Sequence, residues 1–130
     1  MASVFTRIIQ GEIPAYKIAE DDNYLAFLDV FPLAEGHTLV IPKQEVDNIF
    51  DLDPDVYKRL FEFSQKIGIA IKKVVPCVKV GISVVGLEVP HAHIHLIPIN
   101  KVSDMNFSRE KLKASGEDLK AMQEKIIAAL

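Results

Sequence analysis

The chain has 130 residues, 49% of them hydrophobic, which is enough for one domain with a real core. Its net charge is −3 and it has no run of Lys or Arg, which argues against a nucleic-acid partner. One cysteine excludes an intrachain disulfide, and no apolar stretch reads as a signal peptide or a membrane span, so no membrane partner and a cytoplasmic setting are expected.

From the N-terminus, Ile8-Ile9 ahead of Gly11-Glu12-Ile13-Pro14 reads as a short helical turn ended by a breaker. Strands over 16–20 and 24–28 flank the turn cluster Asp21-Asp22-Asn23 and make a predicted hairpin. Residues 29–36, with Pro32 and Gly36, form a loop. The β-branched run 37–41 suits a central strand covered on both faces. Asp53-Pro54 is an N-cap followed by proline in the first helical position. Val56, Leu60, Phe63, Ile67, Ala70 and Val74 then recur at helical spacing until Pro76. A strand over 79–85, a loop over 86–90 and a last strand over 91–98 follow. Residues 100–113 read as irregular or frayed. Ser115-Gly116-Glu117-Asp118 fits a capping box that opens a terminal helix with Leu119, Met122, Ile126 and Leu130 on its apolar stripe. These elements predict a single α+β domain over 1–130: a mostly antiparallel sheet with one long helix and a C-terminal helix. The pattern alone does not order the strands from 37 onward.

Three of the four histidines alternate with apolar residues in His91-Ala92-His93-Ile94-His95. On a strand all three imidazoles share one face, with Ala92, Ile94 and Leu96 on the other. A neutral imidazole is an effective nucleophile near pH 7, and its neighbours can hydrogen-bond phosphoryl oxygens or protonate a leaving group. Crowding keeps at least one ring neutral, since a like charge nearby disfavours protonation. The competing readings are buried histidines bonded to carbonyls, or a metal site. Three alternating rings span about 13 Å of strand. A single zinc ion with Zn–N bonds of about 2 Å does not bridge that length. A two-ring site completed by His37 stays open.

The run from Gly86 to Pro98 resembles the signature of the histidine triad (HIT) family, His-φ-His-φ-His-φ-φ with φ apolar. Residues 8–14 are similar to the family's N-terminal segment, 25–30 to its ribose-binding strand, and 32–43 to the segment bearing its fourth histidine. The match runs in family order over about residues 4–98 and is nearest the Hint-like branch. The resemblance implies a HIT-like fold that works as a homodimer. It also implies a hydrolase or transferase acting on the α-phosphate of nucleoside phosphoramidates or dinucleoside polyphosphates through a nucleotidyl-histidine. His93 would be the nucleophile, His91 would support the His93 ring, and His95 and His37 would surround the phosphate. Asp29 would accept both ribose hydroxyls of a purine nucleotide. Phe5, Ile13, Phe27 and Val30 would wall base and sugar. No cofactor is implied. Read without the resemblance, Phe27 and Val30 are core residues, Asp29 a turn former and His37 a strand-end residue.

The chain departs from the family pattern in three places. Many bacterial relatives carry a Cys-x-x-Cys zinc pair where this chain has Ser3-Val4-Phe5-Thr6, so no structural zinc is expected. The usual Gly-Gln-Ser/Thr ahead of the triad is Gly86-Leu87-Glu88. A carboxylate about 4 Å from a phosphate charge costs about 4 kcal/mol at an effective dielectric of about 20. Glu88 therefore turns away, pairs with a lysine, faces a cationic leaving group or acts as an acid. The segment 81–86 is short and apolar, with Ser83 its one polar side chain, where relatives have an asparagine and a longer glycine-rich loop. The leaving-group side is thus altered while the nucleotide side is kept. A catalytically weak nucleotide-binding or sensing module is the alternative to an enzyme.

Overall fold

Five strands, β1 (Lys17–Glu20), β2 (Tyr24–Leu28), β3 (Thr38–Pro42), β4 (Lys79–Ser83) and β5 (Ile94–Ile99), pair antiparallel throughout in the order β1-β2-β3-β5-β4. The computed structural model describes residues 2–130; Met1 lies outside them. Three α-helices accompany the sheet: α1 (Val4–Ile9), α2 (Pro54–Val74) and α3 (Gly116–Ala129). The expected α+β fold is what forms, and the last strand in sequence inserts between β3 and β4.

Alternation along the strands divides the core in two. Tyr24, Ala26, Leu28, Val40, Ile94 and Leu96 meet Leu60, Ile67, Ala70 and Ile71 of α2 and Leu119 and Ile126 of α3. Leu25, Phe27, Leu39 and Ile41 point the other way, and Phe5 and Ile8 of α1 cover them. Both faces being covered explains why β2 and β3 are apolar at nearly every position. Leu39 pairs with His95, so His95 stands on the α1 side of the sheet.

The last strand starts later than the pattern predicts. The ladder begins at Ile94, and only His95 of the three triad histidines is in it. The register places Pro42 opposite Ala92, and proline has no N–H to donate. The chain instead leaves the ladder: the Ala92 N–H goes to the Val46 carbonyl at 2.7 Å. β4 likewise ends at Ser83 rather than 85, ahead of Gly86 with its φ of +69°.

Helix ends follow the sequence. Pro54 opens α2, although the Asp53 side chain makes no cap bond. The capping box of α3 is complete, with Asp118 N–H to Ser115 Oγ at 3.1 Å and Ser115 N–H to Asp118 Oδ2 at 3.2 Å. Leu130, expected on the apolar stripe, is exposed. Residues 100–113 are more ordered than expected. A 3-10 turn over Val102–Met105 leads into a strap in which Leu112 N–H bonds the Pro32 carbonyl at 2.8 Å and Arg109 Nη2 the Leu33 carbonyl at 3.2 Å. The strap lies across the loop between β2 and β3.

Candidate active site

Gly36 turns the chain into β3 with a φ of +86°, and a Cβ there would sit 2.9 Å from Val75 Cγ2. That turn buries His37, whose Nδ1 accepts the Leu33 N–H at 3.0 Å. With Nδ1 an acceptor, the neutral ring carries its proton on Nε2. Nε2 donates to His95 Nδ1 at 2.9 Å. His95 must then hold its own proton on Nε2.

His93 is held differently. Its Nδ1 lies 2.7 Å from the His91 carbonyl, which can only accept, so Nδ1 is the protonated nitrogen and Nε2 keeps its lone pair. The His91 ring is also tied at both nitrogens: Nε2–H donates to the Pro42 carbonyl at 2.8 Å, and Nδ1 accepts from Ser3 Oγ at 3.0 Å. Of the eight imidazole nitrogens of His37, His91, His93 and His95, six are bonded within the protein. The two left are His93 Nε2 and His95 Nε2. Neither is sealed from solvent, since Arg109 Nε is the one buried unpaired side-chain nitrogen or oxygen among the described residues. The rings of His93 and His95 meet edge to face at 4.8 Å. One free nitrogen is a base or nucleophile, and its neighbour is a hydrogen-bond donor.

This corrects the expectation that all three imidazoles project from one strand, since His91 and His93 precede the ladder that begins at Ile94. The His91 ring is fully buried and bonded to a carbonyl and a serine. Its support for His93 comes through its main-chain oxygen rather than its ring. The cause of the neutrality also differs in rank from the expectation. Burial comes first, pushing His37 and His95 from 6.5 down to about 3, with neighbouring charges second. Burial likewise lowers His91 and His93, against hydrogen bonds to carbonyls that favour the protonated forms.

Around this pair, Phe5 packs edge-on against His93 at 4.9 Å and against Phe27 at 5.5 Å. Ile13 packs on the same cluster. Val30 is apart from it, 44% exposed beside Asp29. Asp29 Oδ1 accepts the Phe31 N–H at 2.9 Å, and Oδ2 stands 3.6 Å from His37 Nε2. Burial raises the Asp29 pKa, Glu88 adds to the rise, and the Phe31 N–H and Lys111 oppose it. A cleft of about 230 Å³ between the β2–β3 loop and α3 touches Asp29, Gly36 and His37 but is lined by none of His93, His95, Phe5, Ile13 or Phe27. Leu87 is 89% exposed, and Glu88 faces solvent with its charge near Asp29.

Sequence reasoning missed four residues. Phe107 of the strap lies edge-on over His95 at 4.8 Å and reaches His37 at 6.4 Å. Lys111, with Nζ on the Phe107 and Arg109 carbonyls, places its charge near Asp29 and His37. Ser3 and Glu45 join through Ser3 N–H to Glu45 Oε1 at 2.7 Å. The sequence signals for them were an aromatic in the stretch 100–113 and the place of Ser3 at the position of the family's Cys-x-x-Cys pair.

Asp29, His37 and His95 bring one potential ligand atom each within 4.8 Å of one another. The two imidazole nitrogens there are 2.9 Å apart and share a proton. Nitrogens on one tetrahedral zinc ion at about 2 Å would be held about 3.3 Å apart. The hydroxyls of Ser3 and Thr6, at the positions where the resemblance would place a thiol pair, are engaged in hydrogen bonds with His91 and Glu45. That donor set does not fit a thiolate zinc centre.

The geometry has a counterpart in known proteins. The family model described as the HIT domain matches residues 10–102. The chain belongs to the HIT domain family. Over its length this HIT protein is 37% identical to an uncharacterised HIT-like protein of Borreliella burgdorferi, the alignment covering 95% of this chain and 94% of that one. A Hit-like protein from Bartonella henselae, described as involved in cell-cycle regulation, superposes with a TM-score of 0.85 at 32% identity, covering 98% of this chain and 96% of that one. A hypothetical histidine triad nucleotide-binding protein from Sulfolobus tokodaii gives 0.83 at 26% identity, covering 97% and 90%. The coverage takes in the C-terminal strap and α3 of this HIT protein, which its triad motif does not reach.

Proposed function

We propose that this protein is a nucleotide-binding hydrolase or transferase that acts on the α-phosphate of nucleoside phosphoramidates or dinucleoside polyphosphates through a nucleotidyl-His93 intermediate. The observation that carries the reading is the pair of free nitrogens, a lone pair on His93 Nε2 beside an N–H on His95 Nε2. In the first step Nε2 bonds phosphorus while the bond to the leaving group breaks. The leaving group departs with that electron pair and takes a proton from solvent. The positive charge that develops on the His93 ring is met by the His91 carbonyl at Nδ1. His95 Nε2–H donates to a phosphoryl oxygen. Water then bonds phosphorus as the N–P bond breaks and releases a proton to solvent, which frees the monophosphate and restores the neutral imidazole.

Asp29 Oδ2 supports the sugar end as an acceptor for ribose hydroxyls, with the partly open Ile13 and Val30 as apolar surface for a purine and the buried Phe5 and Phe27 backing that wall. The solvent-facing Leu87 and Glu88, standing where the resemblance expects a glutamine and a small hydroxyl, favour a second reading, a sensing module with weak turnover.

A homodimer is part of the proposal. β4 is an edge strand, and Val78, Ile82, Val84, Val85 and Leu87 on and beside it are 64%, 54%, 40%, 43% and 89% exposed. An open apolar edge of that kind calls for a cover. The lone free cysteine, Cys77, supports a cytoplasmic setting, and no helix among the described residues is long and apolar enough to cross a membrane.

The test is turnover of adenosine 5′-phosphoramidate by His93→Ala against the parent, with AMP binding measured by calorimetry. The reading expects turnover to vanish and binding to survive. Equal turnover removes His93 from the mechanism, and binding without turnover in the parent selects the sensing module.

A further inference from the structure

The N-terminal helix and the loop after β3 meet at the triad through a continuous set of hydrogen bonds. Glu45 Oε1 accepts from the Ser3 N–H at 2.7 Å and from Thr6 Oγ1 at 2.6 Å. Ser3 Oγ accepts the Thr6 N–H at 3.1 Å, which caps α1, and donates its own proton to His91 Nδ1 at 3.0 Å. The other His91 nitrogen is fixed on the Pro42 carbonyl at the end of β3. Ser3 is 8% exposed and His91 is wholly buried, so water does not replace this serine. The His91 carbonyl, in turn, is what holds His93 Nδ1–H at 2.7 Å.

The segment needs such a clamp. His91 and His93 lie before the first rung of β5, so no sheet ladder positions their backbone. Two backbone bonds act here, His91 N–H to the Val89 carbonyl at 2.8 Å within the same segment and Ala92 N–H to the Val46 carbonyl at 2.7 Å, which ties it to the loop that carries Glu45. Side chains must supply the remaining orientation.

We infer that Ser3 and Glu45 are positioning residues for the nucleophile: together with Thr6 they clamp the His91 ring, and the clamped His91 holds His93 through its carbonyl so that Nε2 presents its lone pair. None of the three is placed to touch substrate. The inference rests on the nucleophilic role of His93 only for its kinetic consequence. The clamp itself is a statement about imidazole tautomers.

The clamp also works across pH. Hydrogen bonds from Thr6 and Ser3 pull the Glu45 carboxyl down to about 2. The groups facing it are the Ser3 N–H, the Thr6 hydroxyl and, further off, His91, and none of them is a second carboxylate. The acceptor therefore stays ionised near neutral pH.

The test pairs imidazole ¹⁵N NMR with steady-state kinetics in Ser3→Ala, Ser3→Thr, Glu45→Ala and Glu45→Gln. Glu45 is exposed, so Glu45→Ala leaves the core intact and separates positioning from folding. In the parent, His91 reports the Nε2–H form and His93 the Nδ1–H form. In Ser3→Ala and Glu45→Ala the Nδ1–H population of His93 falls, kcat drops about tenfold and KM stays within about twofold. Ser3→Thr keeps the hydroxyl and Glu45→Gln keeps the acceptor oxygen, and both restore the parent spectrum and rate.

Unchanged His93 signals in both alanine variants overturn the inference, whatever happens to His91. So does a loss of kcat that Ser3→Thr and Glu45→Gln fail to restore. If His93→Ala keeps full turnover while the NMR result stands, the reaction assignment fails and the clamp survives.

Discussion

At position 93 a backbone carbonyl decides the chemistry of a side chain. The His91 oxygen takes the Nδ1 proton, which leaves Nε2 with a lone pair and an open side. The Leu33 N–H does the converse at His37, and the effect passes through one hydrogen bond to turn His95 into a donor. Burial keeps the His93 ring neutral below its ordinary value of 6.5. The acid limb of kcat/KM should therefore lie below pH 6.5, and an initial-rate profile with its limb at or above 6.5 counts against a buried nucleophile. His95→Ala should lower kcat by about 10²-fold, the usual loss for one donor to a developing oxyanion. Asp29→Asn should raise KM about tenfold with little change in kcat, as expected when a charged acceptor of about 1.4 kcal/mol is lost. The triad, His37 and Asp29 were legible because the motif carries them in one short span or in family order. Ser3, Glu45 and Phe107 were not, because their partners lie far along the chain: Ser3 bonds His91, and Phe107 meets His95. Lys111 was not, because local bonds to the Phe107 and Arg109 carbonyls set it near Asp29 only once the strap is in place.

Among the elements, those with a clear period were legible and those whose limits depend on a neighbour were not. The stripe on α2 reports its own buried face at Leu60, Ile67 and Ala70. The capping box of α3 is local, and both of its bonds form. The start of β5 depends on which residue stands opposite, and Pro42 across from Ala92 is a fact of register that no single segment encodes. The strap over 100–113 has no apolar period because its bonds run to loop carbonyls at Pro32 and Leu33. The tightest element-level constraint is Gly36. Gly36→Ala adds a Cβ 2.9 Å from Val75 Cγ2 at a φ of +86°. The left-handed conformation alone costs about 1–2 kcal/mol. Denaturant unfolding should show at least that loss, together with reduced turnover because His37 rides on the same turn. Full stability in this variant contradicts the role given to the turn.

For the whole molecule, four neutral buried histidines make stability depend on pH. All four have pKa values lowered by folding, so below 6.5 the unfolded chain binds protons that the native state does not. Their contribution is present above pH 6.5 and is lost as pH falls toward the depressed values, about 3 for His37 and His95. Tm should decline steadily through that window, and His37→Asn should flatten the slope. A Tm independent of pH over the same range contradicts neutral burial. The open edge at β4 is the other molecular-scale feature. Sedimentation should show twice the 14.5 kDa chain mass, and Ile82→Lys should shift the protein toward the monomer. A parent that sediments as a monomer removes the homodimer from the proposal. The two-faced sheet was legible from the apolar runs of β2 and β3, whereas the site between α1, the sheet and the strap exists only once all three are assembled.

The most direct test of the account is to quench the enzyme during turnover of adenosine 5′-phosphoramidate and map the labelled peptide by mass spectrometry. The account predicts an AMP adduct on His93 and none on His91, His95 or His37. An adduct on another histidine, or turnover with no adduct on the protein, contradicts it.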